Sequence, residues 1–221
     1  MRERSLLFNG RMVRAILEDR KTQTRRPVLD RAGEPPPNDA CFYKMHWHAR
    51  AACFDVNGFP RGMHWSARLP CVPGDRFVVR ESIATIASGS GLGCDVRYVA
   101  DGERRTFDPC PDDSPKYRPF FERQTFPSIH MPRWAARLVL PVLRVWVEPL
   151  NQLSEQDARS EGFTNRELPN GSTRSAVNDF AANWDAMYRA KNLGWSKNPW
   201  VFVIEFYRPS DAADAQKGNL L

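Results

Sequence analysis

Arg20, Lys21, Thr22, Thr24, Arg25 and Arg26 fall within a single run that stops at Pro27. A primary amine, two hydroxyls and three guanidinium groups, with Arg14 just upstream, are what a site for an anionic or nucleotide-like ligand requires. On composition alone the same run serves equally as a solvated, charged helix end.

Its usefulness depends on the elements around it. Leu6-Leu7-Phe8 reads as a short strand, and Asn9 can cap a following helix. There Met12, Val13, Ile16 and Leu17 make one apolar stripe. Pro27 disfavours helical geometry at Arg26, so Thr24, Arg25 and Arg26 belong to an extended segment that leaves the helix.

Further along, Pro73-Gly74-Asp75 is a turn into the strand Arg76–Glu81, and Cys94–Ala100 reads as another strand with a turn at Asp101-Gly102. Leu138–Val147 is a nearly unbroken apolar run that predicts a buried strand, with a bulge or edge at Pro141. Ser154 and Asp157 occupy capping-box positions, with Gly162 as the stop of that helix. A second helix is predicted over 176–188 and a final strand over 200–206. Residues 30–70 and 105–127 show no clear period. Strands and helices do not alternate regularly, so a doubly wound parallel sheet is excluded in favour of an α+β fold, a mixed or antiparallel barrel with two or three packed helices.

With 221 residues, 42% hydrophobic content and 11% aromatics, the chain can bury a sizeable core. A formal charge of +6 favours polyanionic partners, although 26 acidic residues are interspersed with 32 basic ones. No apolar run has the length of a membrane helix and none resembles a signal peptide, so the expectation is a cytoplasmic protein without a membrane partner. Five cysteines without C-x-x-C spacing are then expected as reduced thiols. Cys41, Cys53 and Cys71 lie among His46, His48 and His64, but their spacing matches no closed zinc pattern, and neither a metal nor another cofactor is assigned. His46, His48 and Trp47 are the candidates for a lid.

Three motifs in this order resemble the ASCH domain of the PUA-like superfamily: Asp19–Arg26, Pro73–Arg80, and Leu153–Gly162 followed by the strand Trp200–Phe206. The segment Ser128–Ala135 is similar to a longer form found in phages and prophages. The resemblance implies one PUA-like domain over 1–208, with insertions at about 30–70 and 102–124 and a flexible tail over 209–221. It also implies a cleft beside the first helix, in a superfamily that mostly handles RNA or modified nucleosides.

A compact branch of the family is similar to N4-acetylcytidine amidohydrolases, and by motif position its catalytic lysine, threonine and glutamate fall on Lys21, Thr24 and Glu161. In that reading Thr24 attacks the amide and Lys21 takes its proton, which requires an amine pKa well below about 10.4. Glu161, at a helix C-terminus where the macrodipole disfavours a carboxylate, suits a general acid or proton relay. Arg20, Thr22, Arg25, Arg26, Arg80, Glu81, His130, Arg133 and Trp134 are the expected substrate contacts, with Arg26, Arg80 or a backbone N–H at the oxyanion and Trp134 stacked on a base. The competing expectations are a non-catalytic reader of RNA or modified nucleic acid, and a ribonuclease. The oligomeric state stays open.

Overall fold

The computed structural model describes residues 1–30, 32–36, 45–48, 51–55, 64–86, 93–108, 111 and 125–209, of which 45–48, 51–55, 64–66, 68 and 86 are described by backbone alone. In chain order these hold β1 (Glu3–Leu7), α1 (Gly10–Leu17), β2 (Gln23–Pro27), β3 (Met45–His48), β4 (Ala51–Asp55), β5 (His64–Arg68), β6 (Arg76–Arg80), β7 (Ile83–Ile86), β8 (Cys94–Tyr98), β9 (Arg104–Phe107) and β10 (Thr125–Phe126). There follow β11 (Val139–Pro149), α2 (Glu155–Ser160), β12 (Arg166–Glu167), β13 (Thr173–Arg174), α3 (Ala176–Tyr188) and β14 (Trp200–Phe206). The fold is mixed α+β, with mostly antiparallel strands. It divides into two units: Met1–Arg20 with Arg76–Pro141 and Arg208–Leu221, and Lys21–Asp75 with Val142–Tyr207.

In the first unit β1 runs parallel to β6, and residues Val139–Pro141 of β11 pair antiparallel with the other edge of β6. Helix α1 starts as its sequence predicts. The Asn9 side-chain oxygen accepts from the Met12 N–H, and Val13, Ala15 and Ile16 are buried, an end worth about 1 kcal/mol of helix stability. The four strands β10-β7-β8-β9 form an antiparallel sheet. Its core is Ile83, Val96, Tyr98, Phe126, Met131 and Ala135, with Trp134 packed edge-on against Phe107 at 4.9 Å.

In the second unit β14 lies between β2 and the later part of β11, antiparallel to both. The pairing shifts between Val142 and Arg144, just past Pro141, where the sequence predicts a bulge. Ser154 and Asp157 form the capping box of α2, and Gly162 takes φ +90°, a left-handed turn that glycine adopts without strain. Leu153, Ala158, Phe163, Phe180, Trp184, Val201 and Val203 make the core between α2, α3 and β14.

The stretch 30–70, irregular by its sequence pattern, carries three strands: β3-β4-β5 pair in an antiparallel sheet, with His46 opposite Cys53. Met45–His48 and His64–Arg68 do alternate apolar and polar residues, but each is only four or five residues long and the strand between them, Ala51–Asp55, does not alternate, so the stretch as a whole shows no sustained period. The hairpin β12-β13 is equally silent, because two-residue strands leave no periodicity to read. Cys94 departs from the expectation of reduced thiols, since it is disulfide-bonded, whereas Cys71 is a buried thiol. The side chains of the proposed lid and of the cysteine–histidine group, Cys71 aside, are not among those described, and the tail from 210 onward lies outside the described residues.

Candidate functional site: a buried lysine–glutamate–arginine network

Three of the eight described buried polar or charged side chains meet in one place in the second unit, Lys21, Arg25 and Glu161, with Thr24 buried on the other face of the same strand and Asp75, Glu81, Thr85 and Asp179 elsewhere. The site forms where β2 begins and α2 ends. Lys21 and Glu161 make an isolated antiparallel bridge, and the Thr22 N–H donates to the Ser160 carbonyl at 2.8 Å. The Thr22 carbonyl in turn accepts from the Phe206 N–H at 2.9 Å, which ties the site to the end of β14. Backbone pairing therefore brings together the first and third sequence motifs, 140 residues apart.

The Lys21 ammonium donates to the Gln23 carbonyl at 2.6 Å, the Glu161 carbonyl at 3.0 Å and the Glu161 carboxylate at 2.8 Å. Those three bonds use all three of its protons. Arg25 Nη1 reaches the other Glu161 oxygen at 3.3 Å. Its Nε and Nη2 both reach Glu148 Oε1, at 3.2 and 2.7 Å. Asp157 Oδ1 stands 3.7 Å from the same guanidinium, and the Trp146 indole N–H donates to Glu148 at 2.8 Å. Side-chain exposure is 0% for Lys21, 3% for Glu161 and 1% for Arg25.

Burial pushes the Lys21 pKa below its ordinary value. The Glu161 carboxylate opposes that shift, while the Arg26 and Arg25 charges add to it. Asp157 is held below the usual carboxylate range: burial works against its charge, but the bonds from Ser154 and the charge of Arg25 outweigh it. A lysine whose ammonium is destabilised by burial is the form of that residue that can serve as a base.

The other expected site residues divide between the units. Thr24 is buried in β2 opposite Ile204, and strand alternation sends its side chain to the face away from Arg25. Arg26 reaches the Tyr188 hydroxyl at 3.5 Å. In the first unit Arg20 bonds Glu18 at 2.7 Å, and Arg14 donates to the Ala100 carbonyl at 2.6 Å. The basic run is thus largely engaged with protein acceptors. Arg80 donates to the Ile129 carbonyl at 3.2 Å, Arg133 is held by Glu3 at 2.9 and 3.0 Å, and His130 is exposed. Trp134 is half-buried.

Glu81 is buried and meets Arg137 through both oxygens, at 2.8 and 2.9 Å. Arg137 also bonds Asp101 and Glu103 and lies 4.0 Å above the Tyr98 ring. Burial raises the Glu81 pKa against the pull of Arg137, and pushes the Tyr98 hydroxyl up to about 12. Burial also works against the Arg137 charge, but the Glu81 and Asp101 carboxylates outweigh it and raise its pKa.

Two partners belong to none of the motifs. Glu148 is an acid closing the otherwise apolar run Val145-Trp146-Val147, and Arg137 a lone cation between Ala136 and Leu138. A charge set in an apolar run is the signal that points to both. No family model matches the chain, and no curated protein or solved structure matches it.

Proposed function

We propose that this chain is an ASCH domain with a PUA-like barrel, and that it hydrolyses the amide of an acylated or otherwise modified pyrimidine nucleoside. The observation that carries the reading is the buried contact of Lys21 Nζ with the Glu161 carboxylate at 2.8 Å, which joins two of the motifs on which the resemblance rests. Glu161 accepts the ammonium proton and leaves a neutral amine. That amine takes the proton of the attacking hydroxyl, which the resemblance assigns to Thr24 although its side chain lies on the β2 face away from Arg25; water is the alternative attacker. The oxygen adds to the amide carbon, the C–N bond breaks, and the leaving amine departs with the relayed proton. Water then hydrolyses the resulting ester. Arg25 is a positioning residue: by holding Glu161 and Glu148 together it fixes the carboxylate against Lys21.

The complete burial of Lys21, with all three of its protons donated, favours a second reading, in which the network only locks α2 onto β2 and the domain binds RNA or modified nucleic acid without cutting it. Incubation with N4-acetylcytidine separates the two. The hydrolase releases acetate and cytidine, and Lys21→Met, Thr24→Val and Glu161→Gln each lower the rate by about 100-fold or more while circular dichroism stays that of the wild type. Unchanged nucleoside at micromolar protein overturns the reading for this substrate class. Full activity in Thr24→Val assigns the attack to water instead. Binding to single-stranded RNA that weakens steeply with salt supports the second reading.

A further inference from the structure

Elsewhere in the second unit, where β11 ends and β14 begins, lies a cavity of about 430 Å3, within the size range of small-ligand sites (roughly 300–1,000 Å3). Four prolines and Trp200 contribute to its walls. The backbone around it is already fixed. The Pro199 carbonyl accepts from the Leu150 N–H at 3.0 Å, the Trp200 carbonyl from the Val28 N–H at 2.9 Å, and the Leu193 carbonyl from the Trp184 indole at 2.7 Å. These bonds fix the wall that Pro149, Leu193, Pro199 and Trp200 contribute.

Its polar lining is not used up in the same way. Lys197, Ser196 and Asn192 are exposed there, and among the described residues none pairs with the Lys197 ammonium or the Asn192 amide. Among the described residues lining the cavity Lys197 is the one charged residue, and none of them is an acid. Three described non-glycine residues have a left-handed backbone, and two of them, Asn192 (φ 57°) and Asn198 (φ 45°), line this cavity. Both are the C-caps of short 3-10 turns, Arg189–Lys191 and Trp195–Lys197, where asparagine readily takes this conformation. The Asn198 side-chain oxygen accepts from the Asn151 N–H at 2.8 Å.

An unneutralised cation selects an anionic group. Flat proline and indole surfaces select a planar ring, and amide and hydroxyl groups suit a polar ring edge or sugar. The geometry points to this cavity as a binding site for a nucleoside monophosphate, with its phosphate at Lys197 and its base against Trp200 and the prolines. The inference goes beyond the hydrolase reading and does not depend on it.

Calorimetric titration of the whole protein tests it, with cytidine 5′-monophosphate, cytidine and inorganic phosphate as separate titrants. The nucleotide is expected to bind saturably at one site in the wild type and in Glu161→Gln, and about tenfold more weakly in Lys197→Gln, an exposed and structurally mild change. Cytidine and phosphate should each bind more weakly than the nucleotide. The proposal is overturned by absence of saturable binding, by affinity unchanged in Lys197→Gln, or by phosphate binding as tightly as the nucleotide. Binding lost in a folded Glu161→Gln would move the ligand to the Lys21 network and also overturn it. Because the readout is binding, a protein that fails to hydrolyse any nucleoside leaves the test intact.

Discussion

Each unit buries a group of charges, and the two groups are built around different cations. In the first unit Arg137 serves Glu81, Asp101 and Glu103 at once and lies over the Tyr98 ring. In the second, Glu161 is shared between Lys21 and Arg25. A guanidinium keeps its proton at any pH the fold survives, so in the Glu81–Arg137 pair only the carboxyl titrates, and the pair ties β6's end to the segment before β11. A lysine shifts readily when buried, and burial lowers the Lys21 pKa. The two networks resemble each other in burial and bonding, yet only in the second is the cation the group whose proton is loosened.

Breaking the fixed network should cost most. Arg137→Met leaves Glu81 buried without its partner and is expected to lose about 3–5 kcal/mol in urea unfolding. Lys21→Met should lose less, about 1–3 kcal/mol, because Arg25 still compensates Glu161. Equal losses, or the reverse order, would break the distinction between the networks.

The pH dependence sharpens it. The folded Lys21 pKa lies below the ordinary value of 10.5, so between the two the unfolded chain binds more protons. Wild-type stability should therefore rise relative to Lys21→Met as pH climbs through that window toward 10.5. The folded Glu81 pKa lies above 4.5, so there the folded chain holds more protons. Its contribution is fully present below 4.5, and the wild type should lose ground to Glu81→Gln as pH rises from 4.5 through the folded value. Urea midpoints across pH read both slopes. The smallest effect belongs to an exposed pair: Arg133→Ala, with Arg133 52% and Glu3 47% exposed, should change stability by about 0–1 kcal/mol.

Helix ends and long apolar strands are the parts of the fold most legible in the amino-acid sequence. Asn9, Ser154 and Gly162 fix helix ends through local bonds that few residues decide, and the apolar runs at β11 and β14 are long enough to read. The Lys21–Glu161 pairing follows from motif order, although spacing alone does not specify a contact across 140 residues. What the sequence does not supply is the engagement of each charge. Arg20, Arg25 and Arg133 look alike as residues, but one bonds Glu18, one is buried among three acids, and one lies on Glu3. Glu81 reads as a ligand contact because its partner Arg137 lies 56 residues away, and a lone cation in an apolar run marks a buried charge without saying which acid it meets.

The most direct test is the titration of Lys21 itself, followed by NMR of 15Nζ-labelled lysine in a chain that holds only six lysines, with Lys21→Met assigning the resonance. The Lys21 amine should titrate below its ordinary value of 10.5. A Lys21 resonance that titrates at or above that value would mean its ammonium is as firmly held as the Arg137 guanidinium and would contradict the proton-exchanging role.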